Sequence, residues 1–340
     1  MADCYVLKPG EPGKPLLLQR TEREVGEPGA GEISIRVTAC ALNYRDLLML
    51  SGKSASSSGG AVVPLSDGAG IVEAAGEGSS KFKIGDRVAG CFFRDWVDGP
   101  FSMAYHKAAR GGSCDGMLAE SVVGPEDSFV AIPDGYSDAE AACLPCAALT
   151  AWHALFERGR LEAGQTVLVL GTGGLSIWAL QLAAAAGARV IVTSSSDEKL
   201  EKARDLGAWK TINYRHSPEW SQSVKDLTEG RGVDHVIEVG GPGTFGQSLN
   251  SVAAGGRISL IGVLTGFSPP EASLFPLVTH NADVHGIYVG SRVMFLKMNA
   301  FLERNAIRPV IDRTFEFSDA ALAYEHLRSG AHLGKVVITA

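Results

Sequence analysis

Cysteine is scarce in this chain: six residues (Cys4, Cys40, Cys91, Cys114, Cys143 and Cys146) in 340, at irregular spacings. That excludes a disulfide-built secreted scaffold and reads as reduced thiols. Charge is never blocked by sign. A net charge of −7 spread along the sequence removes both a basic nucleic-acid footprint and an acidic tail. Long hydrophobic runs are missing too, since the stretch Leu180 to Ala186 falls short of a membrane span. Near Met1, the residues Asp3, Lys8, Glu11 and Lys14 interrupt any apolar signal core. A cytoplasmic protein with neither membrane nor nucleic acid as partner is expected.

What is present is most informative between Gln165 and Lys199. A buried strand (166–170) runs into Gly171, Thr172, Gly173 and Gly174, then an amphipathic helix from Leu175, then a strand ending in Ser194, Ser195 and Ser196. Glycines between a strand and a helix leave backbone N–H groups and the positive helix end facing a pyrophosphate. The third glycine of that fingerprint is replaced by Ser176. A ribose 2′-OH calls for a carboxylate about 20 residues on, whereas a 2′-phosphate calls for hydroxyls and a cation. Here Ser194 and Ser195 stand at the strand end, with Lys199 on the following helix and Tyr214 beyond the next short strand. The pattern predicts NADP(H).

A length of 340 residues implies two domains. Strands at 32–38, 69–73, 86–89, 118–123 and 129–132 predict a β-rich first domain, with period-two alternation clearest in Glu32 to Thr38. An apolar helix follows over 139–155. From 166 onward strands and helices alternate: 166–170, 175–187, 189–194, 197–206, 218–229, 233–239, 244–253 and 256–263. Such alternation predicts an α/β class with a doubly wound parallel sheet. A strand at 284–289, helices at 293–304 and 318–328, and a strand at 335–339 leave no room for another core, so this tail is expected to return to the β-rich domain. The segments 54–60 and 98–112 read as long loops.

Gly85-Asp86-Arg87-Val88, the run from Leu144 to Trp152, and Gly334-Lys335-Val336-Val337-Ile338 occur in this order. With the two-domain pattern, they resemble the medium-chain dehydrogenase/reductase superfamily over nearly the whole chain. The resemblance implies a GroES-like catalytic domain (1–148 and 292–340), a Rossmann domain (149–291) and an active site in the cleft between them. The zinc-dependent branch carries metal ligands at positions that here are Asn43, Ser66 and Cys146. One thiol, an amide and a hydroxyl do not supply a catalytic zinc. The four clustered cysteines of a structural zinc are also missing between Cys91 and Cys114. Both metals are expected absent, which resembles the zinc-independent quinone-oxidoreductase-like branch.

Without a Lewis acid, acceptors that delocalise incoming charge are the easier class. The expected activity is therefore NADPH-dependent hydride transfer to a quinone or an α,β-unsaturated carbonyl. Two alternatives stand beside it: a metal-free NAD(P)-dependent alcohol or aldehyde oxidoreductase, and a non-catalytic NADPH-binding sensor. The resemblance points to Asn43, Tyr44 and Asp46 as catalytic candidates. Asn43 is read as a donor to the substrate oxygen, and Tyr44 as a proton donor or a cofactor contact. Asp46 is read as polarising these or as pairing with an arginine such as Arg87. It also implies cofactor contacts at Thr150 (nicotinamide), at Gly171, Thr172, Gly173, Gly174 and Leu175 (pyrophosphate), and at Ser194, Ser195, Lys199 and Tyr214 (adenosine phosphate). Gly240, Ile261 and Val263 would line the nicotinamide half, and the strand 284–289 would pair two copies into a homodimer. The tyrosine proton donor of enoyl reductases has no counterpart after Gly52-Lys53. Tyr105 and His106 read as an exposed loop pair, His153 as a core histidine, and Cys143 and Cys146 as packing cysteines.

Overall fold

A continuous apolar run from Cys4 to Leu7, buried throughout, forms β1 (Ala2–Lys8), which pairs antiparallel with the largely polar β2 (Leu17–Arg23). The computed structural model describes residues 1–8, 15–52 and 61–339; the predicted loop 54–60 lies outside the described residues. In β3 (Glu32–Leu42), Ile33, Ile35 and Val37 all point into a core while Arg36 between them stays outside. Asn43 then starts α1 (Tyr44–Leu50). After it come β4 (Asp67–Ala75), β5 (Arg87–Gly90), β6 (Ser121–Pro125) and β7 (Phe129–Ala131).

A capping box of Ser137 and Glu140 begins α2 (Asp138–Ala141). One π turn (Leu144–Ala148), α3 (Leu149–Trp152) and a second π turn (His153–Arg158) carry the same helix on to residue 158. Wide turns of this kind favour functional positions, and Thr150 lies between the two. At 21 residues this helix is long and apolar enough to cross a membrane, yet 78% of its most apolar window is buried in the molecule. It is a core helix, and it rather than 180–186 is the chain's longest apolar stretch.

The alternating part follows as β8 (Thr166–Leu170), α4 (Gly174–Ala185), β9 (Arg189–Ser194), α5 (Asp197–Asp205), β10 (Lys210–Asn213), α6 (Trp220–Leu227), β11 (Val233–Glu238), α7 (Pro242–Ser251), β12 (Val252–Leu260), α8 (Phe275–Thr279) and β13 (Asp283–Gly286). The chain ends with α9 (Arg292–Arg304), β14 (Ile311–Glu316), α10 (Ala320–Ser329) and β15 (Lys335–Thr339). Two compact units result. One comprises Met1–Leu149 with Val289–Ala340, the other Thr150–Tyr288.

The second unit is built on a six-stranded sheet of order β10-β9-β8-β11-β12-β13, every neighbouring pair parallel. That is the doubly wound order with its switch point between β8 and β11. Strands covered on both faces read as unbroken apolar runs, and all five residues of β8 are buried. The first unit carries a mixed sheet of order β14-β15-β3-β4-β5-β7, with β6 also paired to β3. Its core gathers Ile33, Ile35, Phe129, Tyr324, Val336 and Ile338.

Three expectations are corrected here. The strand placed at 118–123 begins only at Ser121, because the amides of Met117 and Leu118 turn aside to carbonyls of Leu65 and Pro64. The strand placed at 284–289 ends at Gly286, where its register with Leu260 stops, and Val289 takes a left-handed φ of 51°. Tyr105 and His106 are half-buried, not an exposed pair. Tyr105 stacks on Trp96 at 5.8 Å, and His106 meets Phe101 edge-on at 5.4 Å. Aromatic rings thus hold together a loop in which the zinc branch would place a structural metal.

Candidate functional site

In the Thr150–Tyr288 unit, β8 ends at Leu170 and Gly171 turns the chain with φ of 75°, a conformation natural only to glycine. Gly173 caps α4, so by helix geometry the first N–H groups of that helix have no carbonyl partner within it. Ser176, in the place of the third glycine, folds its hydroxyl back onto the Leu170 carbonyl at 2.7 Å. The helix therefore keeps its close seat against the strand despite the larger side chain. Thr172 is buried beside this turn, and Gly174 and Leu175 form the first helical positions.

The register of β9 with β10 sets Asn213 beside Ser194, and the Tyr214 amide donates to the Ser194 carbonyl at 3.1 Å. Ser194 is buried, Ser195 half-buried and Tyr214 42% exposed. Ser196 caps α5 by accepting from the Lys199 amide at 3.4 Å, which sets Lys199 in the first turn of that helix. The carboxylate of Asp197 in the same turn is taken by the Asn213 side chain at 2.7 Å. The strand end itself therefore offers hydroxyls, an aromatic ring and a nearby cation, a set that fits a 2′-phosphate.

At the carboxyl ends of β11 and β12 the structure brings together Gly240, Ile261 and Val263. The Ile261 amide donates to the Glu238 carbonyl at 2.9 Å, and the Thr265 amide to that of Gly240 at 2.8 Å. Glu238, which sequence reasoning missed, organises this corner. Fully buried, its carboxylate accepts from the amides of Gly240 (2.7 Å) and Gly241 (3.0 Å), from the Thr244 hydroxyl (2.6 Å) and from the Ser248 hydroxyl. An acid ending an apolar strand just before two glycines was its only sequence signal. Thr150 is buried in the helical turn between the two π turns.

In the other unit, three neighbouring strands deliver a second set of polar groups to one end of the sheet. Val336 lies opposite Leu42 and Asp67 opposite Ala41, so Lys335, Asn43 and Asp67 meet there. The Lys335 ammonium, 2% exposed, donates to the Leu42 carbonyl (2.7 Å), to Asn43 Oδ1 (2.6 Å) and toward Asp67 Oδ2 (3.4 Å). The other oxygen of Asp67 accepts from the Ser66 hydroxyl at 2.8 Å, and both residues are fully buried. Just before them, Leu65 is held at φ of 66°, strain of the kind kept near functional positions. Asn43 Nδ2 is buried with no partner among the described residues, as are both terminal nitrogens of Arg45, one oxygen of Asp46 and the Tyr324 hydroxyl. Arg45 lies over the Phe92 ring at 4.7 Å.

Asp46 accepts from the backbone N–H of Asn43 at 2.7 Å, and burial pushes its carboxyl up to about 6, with Arg45 pulling the other way. The expected partnership with Arg87 does not form: Arg87 binds Asp138, which also accepts from Thr38 at 2.7 Å. Tyr44 is 40% exposed on the first turn of α1. His153 is buried. Burial pushes the Cys143 thiol up to about 12 and the Cys146 thiol well above its ordinary value, so neither is a ready thiolate. At the three zinc positions, then, the Asn43 oxygen is occupied by an ammonium, the Ser66 hydroxyl donates to Asp67, and Cys146 alone offers a thiol. This donor set does not fit a catalytic zinc.

Family models match on both units: the alcohol dehydrogenase GroES-like domain at residues 29–134 and the zinc-binding dehydrogenase at residues 174–304. A zinc-type alcohol dehydrogenase-like protein of Schizosaccharomyces pombe is 46% identical over 91% of this chain and 90% of its own. A quinone oxidoreductase of Pseudomonas aeruginosa is 31% identical over 96% of each. Among solved structures, a putative alcohol dehydrogenase from Sinorhizobium meliloti superposes with a TM-score of 0.92 at 42% identity, covering 100% of this chain and 99% of its own. A mycobacterial protein solved with NADPH gives 0.82 at 25% identity, covering 100% of both.

Proposed function

The chain belongs to the medium-chain dehydrogenase/reductase superfamily and is an oxidoreductase of that group, and from this premise we propose a zinc-independent, NADPH-dependent reductase of quinones and α,β-unsaturated carbonyls. One observation carries the reading: a buried amide donor, Asn43 Nδ2, without a partner among the described residues, in the position where the zinc branch has a metal ligand. A buried donor left unpaired costs about 1–3 kcal/mol, a cost that an incoming oxygen would remove.

When bound, NADPH supplies a hydride to the acceptor carbon and becomes NADP⁺, while the acceptor oxygen or adjacent carbon takes one proton from solvent. The chain's own residues do the rest. The Gly171 turn and the start of α4 hold the pyrophosphate. Ser194, Ser195, Lys199 and Tyr214 hold the 2′-phosphate, and Thr150, Gly240, Ile261 and Val263 orient the nicotinamide. Asn43 Nδ2 donates to the acceptor oxygen, stabilising the negative charge that develops there. Enolates and hydroquinone anions spread that charge, so one amide donor goes further with them than with a simple carbonyl, whose alkoxide concentrates it. The relatives' names include both alcohol dehydrogenase and quinone oxidoreductase, so the acceptor is the point to test. Stopped-flow loss of NADPH absorbance with a quinone and with an enone, before and after chelator treatment, is expected to show chelator-insensitive turnover. Oxidation of simple alcohols with NADP⁺, in place of that turnover, would replace the reading.

The same reading includes a homodimer through the 284–289 segment in a reducing, cytosolic setting. It is supported by β13 standing at the sheet's edge with Phe267, Phe275 and Val278 exposed on nearby chain. Sedimentation is expected to give twice the chain mass.

A further inference from the structure

Resting on the reading of Asn43 as the acceptor-oxygen donor, we propose that Lys335 is a positioning residue, a fixed buried cation that sets which atom of the Asn43 amide faces the substrate. The two ends of an amide look alike in shape but differ in chemistry: one accepts, the other donates. An ammonium has three donors and no acceptor, so Asn43 can meet it only through Oδ1, as it does at 2.6 Å. With the oxygen held, Nδ2 must point the opposite way, and there it is buried and unpartnered among the described residues.

The cation itself has no freedom to turn. Its three donors are directed to the Leu42 carbonyl, Asn43 Oδ1 and Asp67 Oδ2, and Asp67 is in turn held by Ser66. Lys335, Leu42 and Asp67 lie on three neighbouring strands of one sheet, and Asn43 directly follows the middle one, which fixes their spacing. The charge also acts through the amide: an ammonium on Oδ1 draws electron density from it and makes the Nδ2 protons better donors, as chained hydrogen bonds polarise one another. Position 335 thereby supplies, at one remove, part of the positive field that a metal supplies in the zinc branch.

The test compares kcat, acceptor KM and the NADPH dissociation constant from nucleotide fluorescence, with a quinone and an enone as probes. Lys335→Met keeps the length of the side chain and removes the donors; Lys335→Met with Asp67→Asn also removes the carboxylate that would be left buried without its cation. Both are expected to lose kcat by roughly 10- to 100-fold, as misplacement of an orienting group does, with NADPH affinity unchanged within about 2-fold. Asn43→Ala is expected to lose about 100-fold or more. In the Asn43→Ala background the lysine substitution should cost less than about 2-fold, because it acts only through the amide. Wild-type kcat in Lys335→Met, or a full additional loss in the Asn43→Ala background, overturns the proposal.

A second measurement needs no variant. In crystals of the wild-type protein grown with NADP⁺ and a quinone, the acceptor oxygen is expected on Asn43 Nδ2 with Lys335 Nζ still on Oδ1. An oxygen bound directly by Lys335, or a rotated amide, overturns it. Failure of the underlying functional reading is seen separately, as wild-type protein that consumes no NADPH with either acceptor.

Discussion

At the scale of single residues, Asp46 is the buried carboxyl of the Asn43 turn whose proton affinity the fold changes. Burial raises its carboxyl to about 6, so the folded chain holds that proton more tightly than the unfolded chain does. The stability it contributes is therefore complete below the ordinary aspartate range and is lost as pH rises through about 6. Asparagine imitates the protonated acid and can still accept from the backbone N–H of Asn43. Asp46→Asn is accordingly expected to melt like the wild type near pH 4 and above it at pH 7, the gap opening between pH 4 and 6. Paired thermal melts across that range check it, and a gap that shrinks with rising pH would contradict it. Asn43, Tyr44 and Asp46 were singled out because they fall on a family motif. Lys335 was not, although it was quoted in one. A lysine before an apolar strand usually marks a solvated strand end, and only the β15–β3–β4 register reveals that its ammonium is enclosed.

At the scale of elements, the boundaries that period and punctuation define were read closely. Predicted and observed residues coincide for β8, β9 and β15, where glycine or a helix cap borders an apolar run. Two of the misses share a cause. β2 and β14 carry charges on exposed faces at sheet edges, so their sequences look like loops. Tertiary pairing, not local pattern, makes them strands. The corner formed by the ends of β11 and β12 was half legible: Gly240, Ile261 and Val263 were placed there, but the contact that locks it was not. A Cβ on Gly262 would lie 2.1 Å from the Val239 carbonyl oxygen, a backbone atom that cannot yield cheaply. Gly262→Ala is therefore expected to part the two loops, lowering the melting temperature and weakening NADPH binding about 10-fold or more. Glu238→Gln should act at the same corner by turning a donor against donors, costing about 1–3 kcal/mol. Denaturant unfolding and fluorescence titration with NADPH measure both, and unchanged nucleotide affinity in both would disconnect this corner from the cofactor.

At the scale of the whole molecule, the chain leaves one unit to build the other and then returns, so the first unit is completed by residues that follow the second. β15 is not an appendage but an interior strand, with β14 on one side and β3 on the other. Val336, Val337 and Ile338 are fully buried, each worth about 1.5–3 kcal/mol by burial alone. Their sum is comparable to the entire stability of an ordinary domain, about 5–15 kcal/mol. Deleting residues 335–340 also removes the cation from Asn43 and Asp67. The second unit is different: its sheet and its apolar core, from Leu168 and Ile191 to Val236 and Ile258, draw only on residues 150–288. The shortened chain is thus expected to lose the fold of residues 1–149 while keeping that of residues 150–288. Limited proteolysis followed by mass spectrometry should find cleavage throughout the first segment and a protected fragment that still binds NADPH. Protection of both segments would show that the sheet tolerates loss of its interior strand, and degradation of both would show that the second unit does not fold without the first.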